Sequence, residues 1–124
     1  MWIQIDLRSP LPAYQQIKVK IKQAILKEEL RQDQTLPSIR EMAQNIRVNP
    51  NTVARSYREL EAEGVIMARQ GVGYIVVVNP GEIRENFLQD IREQLMIPIR
   101  QMKRSGIEEE ECIEVVKKCW KESS

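Results

Sequence analysis

The stretch VNPNTVARSYREL, residues 48–60, constrains the fold more than any other part of this chain. Asn49 is a favoured N-cap, and Pro50 suits the first helical position, where no amide donor is needed. Gly64 is a typical residue at the end of a helix. We therefore predict a helix from about Pro50 to Glu63.

The two sides of this helix differ in chemistry. At about 100° per residue, Tyr57 and Leu60 fall within about 40° of Val53, so these three side chains form one apolar stripe. The opposite side carries one alanine and three polar or basic residues: Asn51, Ala54, Arg55 and Arg58. Asn and Arg can make paired hydrogen bonds to adenine and guanine edges in the DNA major groove. We predict that the helix buries its stripe and presents the other side to DNA.

Two earlier helices are predicted. Apolar residues recur at helical spacing from about Pro12 to Glu29, with most lysines elsewhere on the wheel. Ser38 and Glu41 have the spacing of a capping box and open a short helix, about Ser38–Asn45. The tight turn Ile46–Asn49 joins it to the helix described above. This is the helix-turn-helix arrangement, in which the second helix, the recognition helix, enters the major groove.

Short β-type runs are also present. Residues Met1–Arg8 alternate apolar and polar side chains and predict a short strand. Val65–Ala68 and Tyr74–Val78 flank Arg69-Gln70-Gly71-Val72-Gly73 and predict a hairpin directly after the recognition helix. Because the glycine segment leads into a strand, a turn is favoured over a phosphate-binding loop. The hairpin is the expected wing of a winged helix-turn-helix, and the predicted fold class is α+β, mainly α.

Composition excludes several functions. The 124 residues include no histidine and two cysteines, and the net charge is +1. Histidine-based catalytic pairs and most zinc-site spacings are therefore excluded, and we predict no catalytic residues, no metal site and no cofactor. The N-terminus lacks the apolar core of a signal peptide, and no run is long enough to cross a membrane. The expected setting is the reduced cytoplasm.

Residues 36–78 resemble the DNA-binding domain of the GntR family of bacterial transcription regulators. The matching elements are Leu36-Pro37-Ser38-x-Arg40, Met42-Ala43, Val48-Asn49-x-Asn51-Thr52-Val53, Tyr57-x-x-Leu60, Gly64 and Arg69-x-Gly71-x-Gly73. With the helix led by Pro12-x-Tyr14-x-Gln16-Ile17, the resemblance covers about two thirds of the chain. It implies a homodimer that binds a palindromic operator in double-stranded DNA, usually as a repressor released by a small-molecule effector.

The predicted DNA contacts come from the start of the second helix, the recognition helix and the wing tip. The predicted residues are Ser38, Arg40, Asn49, Asn51, Thr52, Arg55, Arg58, Gln70 and Gly71. Arg40 and the amides near Gly71 are expected to hold the DNA backbone, which fixes register without reading sequence. Asn51 and Arg55 are expected to read bases.

This chain departs from the family at two of these places. Many members have an arginine where this chain has Ala54, and a polar residue where it has Val72. The contacts of those family residues therefore do not carry over. Arg55 lies next to Ala54, and the sequence leaves open whether it replaces the missing base contact.

The chain after Asn79 forms a separate predicted segment. Pro80-Gly81 marks the boundary, so the predicted domains are residues 1–79, which bind DNA, and residues 80–124, which dimerise. Two amphipathic helices follow, separated by Ser105-Gly106, and Pro98 is expected to kink or locally break the first. The second is expected to begin near four carboxylates, Glu108–Glu111, which the helix dipole favours at that end.

The apolar sides of these two helices predict a homodimer, since two helices cannot bury both sides alone. The predicted interface residues are Phe87, Ile91, Leu95, Ile99, Val116 and Trp120. The short helical back end resembles the YtrA-type subfamily, which implies dimerisation through it. The segment is expected to be too short to enclose a ligand cavity of several hundred Å³, so any effector is expected at or near the dimer junction.

Cys112 and Cys119 lie seven residues apart on one predicted helix. That spacing is about 10 Å along the axis, too far for a disulfide, whose Cα atoms lie within about 7 Å. Two small apolar residues are the favoured interpretation, and a redox sensor that pairs across the dimer axis is the alternative. A winged-helix module that binds protein or RNA is the other alternative function, because fold alone does not fix function.

Overall fold

The computed structural model describes residues 3–124 and contains two compact units that divide between Arg84 and Glu85. The first unit holds helices α1 (Ala13–Leu26), α2 (Ile39–Ile46) and α3 (Pro50–Ala62) and strands β1 (Ile66–Arg69) and β2 (Gly73–Val76). Helix α4 (Pro80–Arg104) begins in the first unit, and α5 (Glu109–Glu122) belongs to the second. The predicted α+β, mainly helical class is confirmed.

Helix α1 is the one-sided helix that its apolar spacing predicts. Its buried residues are Gln16, Ile17, Ile21, Ala24 and Ile25. The carbonyl of Pro12 accepts from the amides of Gln15 and Gln16, each at 3.0 Å, and so begins the helix. The helix ends at Leu26 because Glu28, two residues on, takes a left-handed backbone with φ of +60°. The apolar face of α1 supplies one wall of the core.

The helix-turn-helix forms as its capping residues predict. Ser38 Oγ accepts from the Glu41 amide at 3.1 Å while the Glu41 carboxylate accepts from the Ser38 amide, so the capping box is complete. Arg47 ends α2 in a left-handed backbone with φ of +58°. The side chain of Asn49 then caps α3, accepting from the Asn51 amide at 2.8 Å.

The predicted apolar stripe of α3 is confirmed, because Val53, Tyr57 and Leu60 are all fully buried. The Tyr57 hydroxyl donates to the Pro37 carbonyl at 2.7 Å, and burial raises the pKa of this tyrosine. Ser56, which the stripe did not include, is buried as well and donates to the carbonyl of Tyr14 at 2.9 Å. This hydrogen bond fixes α3 against the first turn of α1.

The wing is an antiparallel hairpin in which Ile66 pairs with Val76 and Arg69 with Gly73. The segment before α2 lies along its other edge, where Thr35 forms a bridge to Ile75 and the Leu36 amide donates to the Tyr74 carbonyl at 2.8 Å. The loop between α1 and α2 thus serves as a third strand-like edge. The wing is tied directly to the chain that enters α2.

The strand predicted for Met1–Arg8 is wrong over the described residues 3–8, which form no strand. The Gln16 side chain takes the place of a strand partner: its Oε1 accepts from the Asp6 amide and its Nε2 donates to the Asp6 carbonyl, both at 2.8 Å. The alternation of apolar residues also fails, since Ile3 is buried but Leu7 is 88% exposed in a turn. Residues 1 and 2 lie outside the described chain.

In the second unit, α4 runs through Pro98 without interruption, so the predicted local break does not occur. Pro98 and Gln94, whose carbonyl loses its helical donor, are both exposed, and water can satisfy that carbonyl. Gly106, with φ of +81°, ends the turn after α4, and the Ile107 amide donates back to the Met102 carbonyl at 3.0 Å. Helix α5 begins with glutamates in its first turn, as predicted.

Candidate nucleic-acid interface

The outer side of α3 presents the predicted polar residues. Asn51, Arg55 and Arg58 are exposed, while Thr52 and Ala54 are half-buried. An α-helix fits the major groove of B-form DNA, where asparagine and arginine side chains reach base edges. The helix therefore carries base-reading chemistry on the side away from its buried stripe.

Two hydrogen bonds join the three elements that supply the predicted contacts. Tyr57 of α3 donates to the carbonyl of Pro37, the residue before Ser38, and Leu36 donates to Tyr74 in the wing. The rings of Tyr57 and Tyr74 also meet edge to face, with centroids 5.0 Å apart. The start of α2, the recognition helix α3 and the wing are thus tied together at their bases.

The three arginines among the predicted DNA contacts fall into two groups. Arg40 and Arg58 form no ion pair with any residue in the part of the chain that the structure describes. Arg55 by contrast donates from Nε to Glu59 Oε2 at 2.9 Å. Arg40 and Arg58 therefore keep their full charge available for DNA phosphates or bases, whereas Arg55 already has a partner.

The structure gives Ser38 and Asn49 capping roles. Their side-chain oxygens accept amides of their own helices, from Glu41 and Asn51 respectively. The oxygen of each side chain is thus already engaged in the free protein. These two predicted contact residues hold the starts of α2 and α3 in place.

The wing tip is a tight turn in which the Val72 amide donates to the Arg69 carbonyl at 3.0 Å. Gly71 stands at the third position with φ of +79°, the value that a type II turn requires there and that favours glycine. Gln70 and Gly71 are exposed, and so is Val72 at 53%. The tip thus offers the polar side chain of Gln70 and the exposed backbone of Gly71, beside the apolar side chain of Val72.

A charged network links α1 to α3 beside this surface. Lys18 Nζ lies 2.9 Å from Glu59 Oε1 and 2.6 Å from Glu63 Oε2, and Lys22 Nζ lies 2.6 Å from Glu63 Oε1. Lys18 is the inner member, since its side chain is only 12% exposed. The other oxygen of Glu59 accepts from Arg55, so the network reaches the predicted DNA-binding side of α3.

The members of this network shift one another's pKa values. Burial disfavours the charged form of Lys18, but hydrogen bonds to Glu63 and Glu59 outweigh it and raise its pKa. Hydrogen bonds from Lys18 and then Arg55 lower the pKa of Glu59. Burial disfavours the charged form of Glu63, but hydrogen bonds from Lys18 and Lys22 lower its pKa overall. Lys18, Glu59 and Glu63 are therefore charged at neutral pH.

The sequence prediction missed two residues that touch Arg55. The Arg55 guanidinium carbon lies 3.6 Å from the centroid of the Tyr14 ring, a cation–π contact, and Glu59 holds its Nε. The spacing of Arg55 and Glu59, four residues apart, could have indicated their ion pair. Tyr14 could not have been found, because its contact depends on how α1 packs on α3.

The second unit exposes the residues predicted to form the dimer interface. None of them is buried: Phe87 is 37%, Leu95 46%, Val116 49% and Trp120 83% exposed, and Ile91 and Ile99 are half-buried. Leu88, seven residues before Leu95 and so on the same side of α4, is 51% exposed and extends the stripe. The described residues therefore cover this stripe only in part.

An open cleft lies between the end of α4 and the start of α5. Its volume is about 400 Å³, and its lining is mostly apolar: Ile99, Met102, Lys103, Ile107, Glu109, Cys112 and Ile113. Because this cleft is open, it does not test the prediction that the segment is too short to enclose a ligand cavity of several hundred Å³. Both thiols are free, with Cys112 half-buried and Cys119 exposed.

Residues 3–124 include no helix with the length and apolar character needed to cross a membrane. Within the same range, no group of three or more histidine, cysteine or acidic side chains is placed to hold a metal ion.

A helix-turn-helix followed directly by a hairpin, with arginine and asparagine on the outer side of its second helix, defines a winged helix-turn-helix DNA-binding protein. The sequence model of the family described as "Bacterial regulatory proteins, gntR family" matches residues 13–76, more than half of the chain. The chain belongs to the GntR family of bacterial transcription regulators. It is accordingly a DNA-binding regulator and not an enzyme.

The relatives extend this match beyond the DNA-binding part. The chain is 40% identical over 116 residues to the HTH-type transcriptional repressor YtrA of Bacillus subtilis, covering 93% of this chain and 89% of that protein. The predicted resemblance to the YtrA-type subfamily is thus confirmed.

Solved structures of transcription regulators and of their DNA-binding domains are similar to this chain. A transcriptional regulator from Oenococcus oeni is similar with a TM-score of 0.77 and 29% identity, over 94% of this chain and 97% of that one. The DNA-binding domain of AraR in complex with operator ORX1 is similar with a TM-score of 0.55 and 26% identity, over 60% of this chain and 95% of that one.

Proposed function

We propose that this protein is a cytoplasmic transcriptional repressor that binds a palindromic operator as a homodimer and is controlled by a small-molecule effector. Residues 1–79 bind DNA, and residues 80–124 dimerise. The observation that carries the proposal is the outer side of α3, where Asn51 and Arg58 are exposed and Arg58 has no ion-pair partner among the described residues. The name of the YtrA relative supports repression.

Binding requires both positioning and reading contacts. Arg40, in the first turn of α2, and the backbone at Gly71 hold DNA phosphates, while Asn51, Arg55 and Arg58 face base edges. Thr52 and Gln70 contribute from the α3 start and the wing tip. Ser38 and Asn49 act mainly by fixing the two helix starts.

The exposed stripe on α4 and α5 supports the homodimer, because its residues Leu95 and Val116 are nearly half exposed in one chain. A two-fold pair places two recognition helices about one DNA turn apart, roughly 34–36 Å, or a multiple of it. The operator is therefore an inverted repeat.

The effector binds in the second unit, and the α4–α5 cleft is the place for it. Its volume of about 400 Å³ lies in the range of small-ligand sites, and Lys103 and Glu109 offer charges beside apolar residues. Ile113→Trp should fill the cleft. We expect a repressor that still binds its operator but no longer responds to inducing conditions in a reporter strain; a normal response would place the effector elsewhere.

The DNA-binding proposal is tested by gel-shift titration of a duplex that carries the inverted repeat upstream of the protein's own gene, with duplex DNA and RNA as competitors. Arg40→Ala should weaken specific and non-specific duplex binding together and reduce the salt dependence by about one phosphate contact. Lys27→Ala, which removes the same charge at the far end of α1, is the matched control.

Two outcomes would contradict this assignment. A selective loss of the specific complex in Arg40→Ala would mean that Arg40 reads a base. Better competition by RNA than by duplex DNA would favour an RNA-binding module over a DNA regulator.

A further inference from the structure

Arg55 lies on the exposed side of α3, yet two groups determine where its guanidinium lies. One face of the guanidinium stacks on Tyr14, with the guanidinium carbon 3.6 Å from the ring centroid. One edge donates from Nε to Glu59 Oε2 at 2.9 Å. Since arginine has five N–H donors, the Nε contact leaves the two terminal nitrogens as a pair of donors at the end of a held group.

The two holding groups are themselves anchored in the fold. Glu59 is fixed through its other oxygen by Lys18, whose side chain is 12% exposed and also pairs with Glu63. The backbone of Tyr14 is fixed by the hydrogen bond from Ser56, which is fully buried. The position of the Arg55 side chain is therefore set by contacts that reach the interface of α1 and α3.

We propose that Tyr14 and Glu59 are positioning residues that hold Arg55 ready to read a guanine through its terminal nitrogens. Guanine offers two acceptors, O6 and N7, in the major groove, and a paired contact from arginine is the commonest way to read it. A guanidinium that is already held loses less rotamer freedom on binding than a free one. This inference rests on the proposed DNA-binding function and assigns one step of its specificity.

The residue before Arg55 explains why the direction of the Arg55 side chain matters, since that residue is Ala54. This neighbouring residue is half-buried and has only a methyl side chain, so it supplies no donor to a base. Arg55 is the next residue of α3, and its contact with Tyr14 of α1 sets the direction of its side chain. Tyr14 from α1 and Glu59 from the next turn of α3 provide that control.

The test measures base preference. Sites are selected from a random duplex library with the wild-type protein, and affinities are measured for the best site and for versions in which each G·C pair is replaced. Arg55→Ala should reduce preference at one G·C pair per half-site by roughly tenfold to a hundredfold. Glu59→Gln and Tyr14→Leu should each reduce the same preference by about threefold or more, while binding to random duplex persists.

Two controls make the test specific. Glu63→Gln removes a carboxylate from the same network without touching Arg55, and it should leave the base preference unchanged. In the Arg55→Ala background, Glu59→Gln should have no further effect at that base pair, because Glu59 acts through Arg55. Helical content and melting temperature confirm that each variant is folded.

The proposal is overturned if Glu59→Gln retains full base preference, or if it strengthens binding to all duplexes equally. The second result would mean that Glu59 only repels DNA phosphates or keeps the Arg55 guanidinium away from DNA. Wild-type protein that binds no duplex DNA would overturn the proposed function as well, whereas intact binding with unchanged preference in all three variants would overturn this inference alone.

Discussion

The two units of this protein differ in how they use their apolar residues. Every buried hydrophobic side chain among the described residues lies between Ile3 and Ile83, in the first unit. From Glu85 onward no residue is buried, although α4 and α5 carry continuous apolar sides. The first unit encloses its core with three helices and a hairpin, while the second has two helices and no second layer.

The comparison shows that amphipathic pattern alone does not make a core. A domain core forms where the apolar sides of two packed layers face each other. Two helices without a second layer leave much of their apolar sides exposed to water. Trp120, 83% exposed, is the clearest case. The first unit is therefore stabilised by its own packing, and we propose that the second depends on a partner copy.

The largest expected effect comes from placing a charge in the exposed stripe. Leu95→Asp would bury an unpaired carboxylate in the dimer, and the effective penalty for one buried ion is several kcal/mol. We expect dissociation and loss of operator binding, with the melting of the first unit unchanged. Gln89→Asp, which adds the same charge away from the stripe, is the control, and an operator-binding Leu95→Asp protein would refute the interface.

A smaller effect is expected from the core of the first unit. Leu60 is fully buried in α3, and Leu60→Ala should lower the free energy of unfolding by roughly 2–5 kcal/mol. Leu88→Ala, at a leucine that is 51% exposed in α4, should leave this transition unchanged. Urea denaturation with hydrogen exchange of α3 amides measures both. Equal losses would mean that the units do not differ as described.

The smallest expected effect is the pH dependence of the charged network. The pKa values of Glu59 and Glu63 are lowered below 4.5 on folding, so their contribution is present above that pH and is lost as the pH falls through the folded values. The raised pKa of Lys18 contributes below 10.5 and is lost above it. Stability should therefore fall in acid by less than the Leu60→Ala loss.

The control for this prediction is Lys18→Met, which removes the shared partner of both carboxylates. Its stability should change less steeply than that of the wild type between pH 7 and pH 4, the range in which the two carboxyls begin to titrate in the unfolded chain. Parallel profiles for the two proteins would mean that the network adds no stability.

Much of the first unit could be predicted from sequence because its signals are local. The capping box at Ser38, the cap at Asn49 and the stripe on α3 each depend on residues within a few positions, and all three are confirmed. The strand predicted for residues 3–8 was wrong because the backbone there bonds to the Gln16 side chain, ten residues beyond Asp6, and not to another strand. Alternation of side chains does not show what the backbone will pair with.

The candidate site shows the same limit. Arg55 was correctly placed on the exposed side of α3, since that follows from helical periodicity. Its stacking on Tyr14 was not predicted, because 41 positions separate the two residues and only packing joins them. Helix α4 likewise continues through Pro98 because Pro98 and Gln94 are exposed to water. The residue type alone does not reveal that exposure.

Sedimentation equilibrium of the full chain tests the dependence of the second unit on a partner copy most directly. At tens of micromolar and moderate salt, the expected mass is twice the 14.5 kDa of one chain. The Leu95→Asp protein should sediment with the mass of a single chain under the same conditions. A wild-type protein that stays monomeric at this concentration would contradict the homodimer and, with it, binding to an inverted repeat through two paired recognition helices.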